Sequence, residues 1–171
     1  MKTIRNLIMP VMLMVLGLAF TSCEDESISS TLEGTWEGNT YMSSVYNGRI
    51  YNSSYSYVDF TLDPFRFTKG SGHWVDYYSN APWDYIASHI DWQVRNGVIE
   101  VHFVEDGYTV YISNYRLNRN RFVGTIYLDD SNWQFNLVHT SSPNWSDYDY
   151  GYWAPSASGA SARPQRILQH R

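Results

Sequence analysis

A single thiol stands where chemistry is expected. Cys23 is the only cysteine, and it lies directly behind an apolar run, Leu7 to Phe20, and the small residues Thr21 and Ser22. Lys2 and Arg5 begin the chain, and Glu24, Asp25 and Glu26 follow the cysteine. A basic start, an apolar stretch of about 7–15 residues and small residues at a cut describe a secretory signal, too short for a stable membrane-spanning helix. One cysteine also excludes a disulfide framework and a thiolate metal site. The other reactive types do not converge. His73, His89, His102, His139 and His170 show no metal-ligand spacing. Asp91 and His102 fall opposite each other on a polar strand face, a cross-strand pair of ~0.2–1 kcal/mol. Paired carboxylates for glycoside cleavage must converge in a cleft. Asp91 and Glu100 sit instead on the polar face, with the other acids in turns. There is no Gly-x-Ser-x-Gly elbow, phosphate loop or dinucleotide fingerprint. The expectation is a protein with no catalytic residues, no metal and no cofactor.

Phe20-Thr21-Ser22-Cys23 resembles the processing site of bacterial lipoproteins. The resemblance implies that residues 1–22 are a cleaved signal peptide and that Cys23 is lipidated. A thioether-linked lipid and an N-terminal acyl group supply more than one chain, enough for stable membrane anchoring. The acidic triplet is similar to the export tag of surface-exposed lipoproteins in some Gram-negative bacteria. That likeness implies a lipid-anchored protein of the outer membrane, exposed at the cell surface. By composition alone, residues 23–32 read as a solvated acidic tether. With Lys2 and Arg5 removed, 10 basic residues face 17 acidic ones, a formal charge of −7. A field of that sign repels phosphate backbones and excludes a nucleic-acid partner.

The elements that must position any site are strands. Val, Ile, Thr, Tyr, Phe and Trp dominate residues 33–140, with turn residues every ~8–12 positions. Asn96-Gly97 is a hairpin turn whose two residues both need positive φ. It pairs Arg95 with Val98, so Val94 faces Ile99, Trp92 faces Val101 and Ile90 faces Phe103, all apolar. Asp91 with His102 and Gln93 with Glu100 take the other face. A three-residue turn at Asn118-Arg119-Asn120 pairs Leu117 with Arg121, which sets Ile112 against Ile126 and Tyr111 against Tyr127. Pairing Leu128 with Trp133 sets Ile126 against Phe135. The first half reads as strands at Gly34–Met42, Tyr55–Leu62, Phe65–Thr68 and His73–Ser79, with a turn at Lys69-Gly70-Ser71-Gly72 and a loop over residues 80–87. Eight or nine strands suit an all-β, small up-and-down barrel, filled by its own side chains or by one ligand.

Leu32-Glu33-Gly34-Thr35-Trp36, opening the first strand, resembles the Gly-x-Trp start of lipocalins and lipocalin-like bacterial lipoproteins. The resemblance implies a lipocalin-like barrel of about eight strands, with Gly34 and Trp36 at its narrow end. In that family a basic side chain from near the last strand packs over the tryptophan, and residues 133–162 contain no lysine or arginine. The resemblance further implies a small apolar or amphipathic ligand in the lumen, against Trp92, Val101, Phe103, Ile112, Ile126 and Phe135.

Aromatic content points to a second class of function. The chain has 15 Tyr, 7 Trp and 7 Phe, and many fall on polar faces or in loops. Trp145, Tyr148, Tyr150, Tyr152 and Trp153 cluster in an aromatic-rich segment, 141–153, with Asp147 and Asp149 between them. Amphipathic rings outside a core mark binding surfaces. Trp145, Tyr150 and Trp153 are therefore candidates for stacking on a glycan in an adhesion module. The competing reading makes the segment cover for the barrel mouth or edge, and a further alternative is a purely structural envelope protein. Residues 154–171, rich in Ala, Ser and Gly, read as a disordered tail.

Overall fold

The computed structural model describes residues 23–151 and 163–167. The strands there are β1 (Gly34–Asn39), β2 (Ser43–Tyr46), β3 (Arg49–Leu62), β4 (Lys69–Tyr78), β5 (Tyr85–Arg95), β6 (Val98–Phe103), β7 (Tyr108–Leu117), β8 (Arg121–Leu128), β9 (Ser131–Thr140) and β10 (Gln165–Ile167). All strand pairings are antiparallel. The order runs β1-β9-β8-β7-β6-β5-β4-β3, and β1 pairs again with β3, closing eight strands into an up-and-down barrel. The long β3 serves two partners: its second half pairs with β1 and its first half with β2. Strand β10 then adds to β2. The turns β3–β4, β5–β6 and β7–β8 define the lower end of the barrel. The turns β2–β3, β4–β5, β6–β7 and β8–β9 define the upper end.

Alternation of apolar and polar residues explains why these segments are strands with one buried face. The β5–β6 hairpin has the expected register, Arg95 against Val98 through Ile90 against Phe103. Asn96 and Gly97 take φ of 52° and 73°, the two left-handed positions that such a turn requires. Tyr111 against Tyr127 and Ile112 against Ile126 are also as expected.

Other registers differ. Leu117 pairs with Phe122, not Arg121, because the ladder shifts by one between Ser113 and Arg116. Asn114 sits in this bulge with φ 52°. Leu128 pairs with Ser131 and Ile126 with Trp133. The connecting turn is thus only Asp129-Asp130. A two-residue shift leaves every side chain on its expected face, so alternation could not detect it.

Phe65–Thr68 is a loop, and Lys69–Gly72 opens β4 rather than forming a turn. Gly70 and Gly72 are there for space. A Cβ on either would lie 2.0 Å from the Thr61 carbonyl oxygen or 1.8 Å from that of Asp59.

Two further expectations are corrected. Residues 23–32 are helical rather than a solvated tether. Asp25, Ile28, Ser29 and Leu32 share one face at helical spacing. Leu32 and Ser29 are fully buried, and Ile28 packs on the core. The Asp25 carboxylate accepts the backbone N–H groups of Asn96 at 2.9 Å and Gly97 at 2.8 Å. Of the acidic triplet, Asp25 therefore serves the β5–β6 turn, a tertiary contact that composition does not reveal. The tail is not wholly disordered either, since Gln165–Ile167 forms β10. Its Arg166 is buried inside the upper end. Residues 1–22 and 168–171, Trp153 and most of the tail's Ala/Ser/Gly stretch lie outside the described residues.

Candidate functional site

The lower half of the barrel interior is a packed aromatic core. Trp36 is fully buried, its indole N–H donating to the Leu32 carbonyl at 2.8 Å. Its ring meets Phe122 at 5.7 Å and His139 at 5.1 Å, both edge-on. His139 comes from β9, the last strand of the barrel, and takes the place over Trp36 that the resemblance assigns to a basic side chain. Gly34 makes room for it: a Cβ there would lie 2.6 Å from His139 Nε2. The lumen residues proposed from the sequence all point inward, with Trp92, Phe103, Ile112, Ile126 and Phe135 between 0 and 4% exposed. They touch one another and their neighbours. The gap among Val58, Phe60, Trp74, Ile112, Phe122 and Phe135 has no room for a water molecule. Among the described residues this lower half is a packed core.

The outer face offers a concavity. A cleft of about 690 Å³ lies between the β3–β4 loop and the outward side chains of β4 to β7. Asp63, Arg66 and Lys69 come from the loop and its rim, and Ser71, Asp91, Gln93, Glu100, His102 and Thr109 from the strands. The Gln93 side-chain amide donates to the Glu100 carboxylate. His102 Nδ1 lies 3.1 Å from the Thr109 hydroxyl. The cross-strand pairs Asp91–His102 and Gln93–Glu100, read from the sequence as an ordinary polar face, are thus the strand wall of this cleft. Its charges nearly balance, three carboxylates against Arg66 and Lys69.

Rings adjoin the cleft two residues further along β4 and β5. Segment 144–150 lies across these strands and covers Val75 and Ala87, with a bridge from Ala87 to Tyr150. Trp145 stacks on His73 at 4.7 Å with 12° between planes. Tyr150 lies 4.1 Å from His89, which in turn holds Glu105 through Nδ1 at 2.5 Å. The contacts continue upward through Tyr148, Tyr85 and Tyr77 to Tyr55 and Tyr57. Tyr77 and Tyr148 share a 2.6 Å hydroxyl hydrogen bond, and burial together with that bond pushes the Tyr77 hydroxyl pKa up. Trp145, Tyr148 and Tyr150 are half-buried. They are therefore both cover for β4–β5 and partly open rings.

A family model for the lipocalin-like domain matches residues 32–124, more than half of the chain, and this span begins at the Gly34-x-Trp36 end just described. The chain belongs to the lipocalin-like domain family. No curated protein and no solved structure matches it. A lipocalin-like barrel suggests small-ligand binding.

Within this lipocalin-like barrel, sequence reasoning missed the residues that fill the upper half of the interior. Asp76, Ser56 and Ser88 from three strands, with Thr40 from the β1–β2 connection, point inward and are fully buried. Asp76 Oδ1 accepts from Ser56 at 2.6 Å and from the Trp74 indole at 3.0 Å. Arg166, delivered by β10, closes the network. It bonds Asp76 Oδ2 at 2.8 Å, Asp106 Oδ2 at 2.6 Å, and the Ile86 carbonyl at 2.7 Å. Its guanidinium also lies 5.0 Å from the Phe103 ring centroid. Burial by itself would lower the Arg166 pKa, but Asp76, with Tyr108 and Asp106, raises it above the ordinary value. Arg163 adds a 3.1 Å ion pair to Asp106. Two arginines and two aspartates thus neutralise one another in the mouth of the barrel. The signal available beforehand was weak: Asp76 interrupts the alternation of β4, and Arg166 interrupts an apolar-poor tail.

Proposed function

We propose that this protein is a non-catalytic, lipid-anchored binding module of the bacterial outer membrane, held through Cys23, that takes a carbohydrate on its outer face. The cleft beside β4 to β7 carries the reading. Its nearly balanced acceptors and donors suit neutral hydroxyl groups better than an ion. The half-open rings of Trp145 and Tyr150 supply the stacking faces that sugars use, next to those polar groups. The small apolar ligand in the lumen ranks behind, because the lower interior is filled by its own side chains and the upper interior by Arg166. The acidic residues behind Cys23 support exposure at the cell surface.

The test is titration of the purified protein with soluble oligosaccharide from the producing cell's surface, followed by calorimetry. Asp91→Asn with Glu100→Gln keeps the shape of the cleft and removes two charged acceptors. Affinity should fall roughly 10- to 100-fold, about 1.5–3 kcal/mol for hydrogen bonds to charged groups, at an unchanged melting temperature. Unchanged affinity would remove the cleft from the proposal. Cys23→Ala should abolish acyl labelling and detergent-phase partition.

A further inference from the structure

The lower end of the barrel carries the two most exposed phenyl groups among the described residues. Phe65 is 88% and Phe67 59% exposed, both in the β3–β4 loop. The loop cannot readily tuck them away. The Asp63 carboxylate accepts the Phe65 N–H at 2.8 Å, its carbonyl accepts Arg66 N–H at 3.1 Å, and the Asp63 N–H donates to Lys69 at 2.9 Å. The Thr68 carbonyl is tied to Val94 N–H at 2.8 Å. The rings therefore project from a braced turn.

Exposed basic side chains concentrate at the same end. Of the seven lysines and arginines between residues 24 and 162, six lie in or beside the lower turns: Arg66, Lys69, Arg95, Arg116, Arg119 and Arg121. All six are exposed. Arg49 stands at the upper end, where Arg163 and Arg166 are taken up by Asp76 and Asp106. The acids that face these cations are Glu24, Glu26 and Glu33 on or next to the helix, Asp63 in the loop, and Asp91 and Glu100 across the cleft from Arg66 and Lys69, while Asp25 is buried as the turn cap. The upper turns carry Asp84, Glu105, Asp106, Asp129 and Asp130. A chain with 17 acidic and 12 basic residues thus presents six of its lysines and arginines on one end.

The helix brings Cys23 to this end. Leu32 lies under Trp36 at β1, and Asp25, two residues from Cys23, caps the β5–β6 turn. That turn neighbours the Phe65 loop through the Val94–Thr68 hydrogen bond. Residues 23 to 32 rise about 14 Å at helical pitch, all of it lying against the barrel. A lipid on Cys23 therefore cannot hold the domain away from a bilayer.

We propose that the lower end is a membrane-docking face: Phe65 and Phe67 enter the headgroup region of an anionic bilayer while the six cations hold that end against it. The proposal rests on the Cys23 anchor reading for its setting, but the face has a lipid affinity of its own. Exposed aromatics wedge into the interface, and basic side chains near an anionic surface add attraction that salt screens. The upper end, with the ionic plug and the acidic turns, then points away from the membrane.

The experiment uses the processed protein extracted from cell membranes, with Phe65→Trp as a depth reporter and Asp130→Trp as the upper-end control. Each is reconstituted into vesicles of phosphatidylcholine and phosphatidylglycerol at seven to three, with or without bromine on the acyl chains. Phe65→Trp should add emission that brominated lipid quenches, and Asp130→Trp should add emission that it does not. Equal quenching of the two, or none at residue 65 in protein that remains with the vesicles, overturns the docking face while leaving the anchor intact. If mass spectrometry finds no lipid on Cys23, the anchor reading fails separately. The same quenching is then read on soluble protein mixed with the vesicles, where unquenched emission at residue 65 overturns docking. In that format Phe65→Ser with Phe67→Ser, both exposed and tolerated by the fold, should weaken vesicle binding roughly tenfold or more.

Discussion

The lower and upper halves of the barrel interior are filled in opposite ways. The lower half is apolar and local: Trp36, Phe60, Phe122, Ile126 and Phe135 come from strands that neighbour one another in the sheet. The upper half is ionic and assembled from far apart, with Arg166 meeting Asp76 across ninety positions of chain. An apolar core tolerates small misfits, each costing a cavity. A buried charge tolerates none, because an unpaired carboxylate in the same place has no water to turn to.

The largest effect should therefore come from the upper half. Arg166→Ala leaves Asp76 buried without its cation, and we expect a loss of about 3–5 kcal/mol in chemical denaturation. Asp76→Asn in the same chain should recover part of that loss, since the two act on one network. Strictly additive losses would show that the plug is not coupled. In the lower half, Ile126→Ala should cost about 2–4 kcal/mol through the cavity it leaves, without sensitivity to Asp76.

Smaller effects sharpen the comparison at the lower end. Gly97→Val should cost about 1–3 kcal/mol. A side chain there would meet nothing within 4 Å, so the loss is backbone strain at φ 73° rather than a clash. Asp25→Ala should cost about 1–2 kcal/mol by leaving two turn N–H groups without their acceptor. A thermal midpoint equal to the parent's would detach the helix from the turn.

Alkaline pH probes the upper half through Tyr108. Burial raises the Tyr108 hydroxyl pKa above 10.0, with Asp106 and Asp76 adding to it while Arg166 opposes. A raised tyrosine pKa contributes stability that is fully present below about 10, the unfolded value, and is lost as pH rises through the folded value. Tyr108→Phe should remove part of the fall in stability above pH ~10. An unchanged slope would place the titrating group elsewhere.

Much of the lower half was legible in the sequence. Alternation around Asn96-Gly97 set the β5–β6 register, and Gly34-x-Trp36 marked the closed end. Where alternation is blind, the reading slipped: the β8–β9 pairing moved by two residues without changing faces, and the glycines of Lys69–Gly72 read as a turn because their role is to let β3 approach. The upper half was not legible, because nothing local ties Arg166 to Asp76. The same holds for the cleft. Asp91, His102, Gln93 and Glu100 were found as pairs, but the Asp63–Lys69 loop that makes a cavity of their face was read as a strand and a turn.

The central claim is that the barrel is a filled scaffold and that recognition happens outside it. Solution NMR of methyl- and amide-labelled protein, titrated with surface oligosaccharide and then with a long-chain fatty acid, tests it most directly. The account predicts oligosaccharide-induced shifts at Asp91, Gln93, Glu100, His102 and Trp145, and no response of the Ile112 and Ile126 methyl groups to either ligand. Saturable shifts of Ile112 and Ile126 on adding the fatty acid, with the outer cleft unmoved by oligosaccharide, would contradict it.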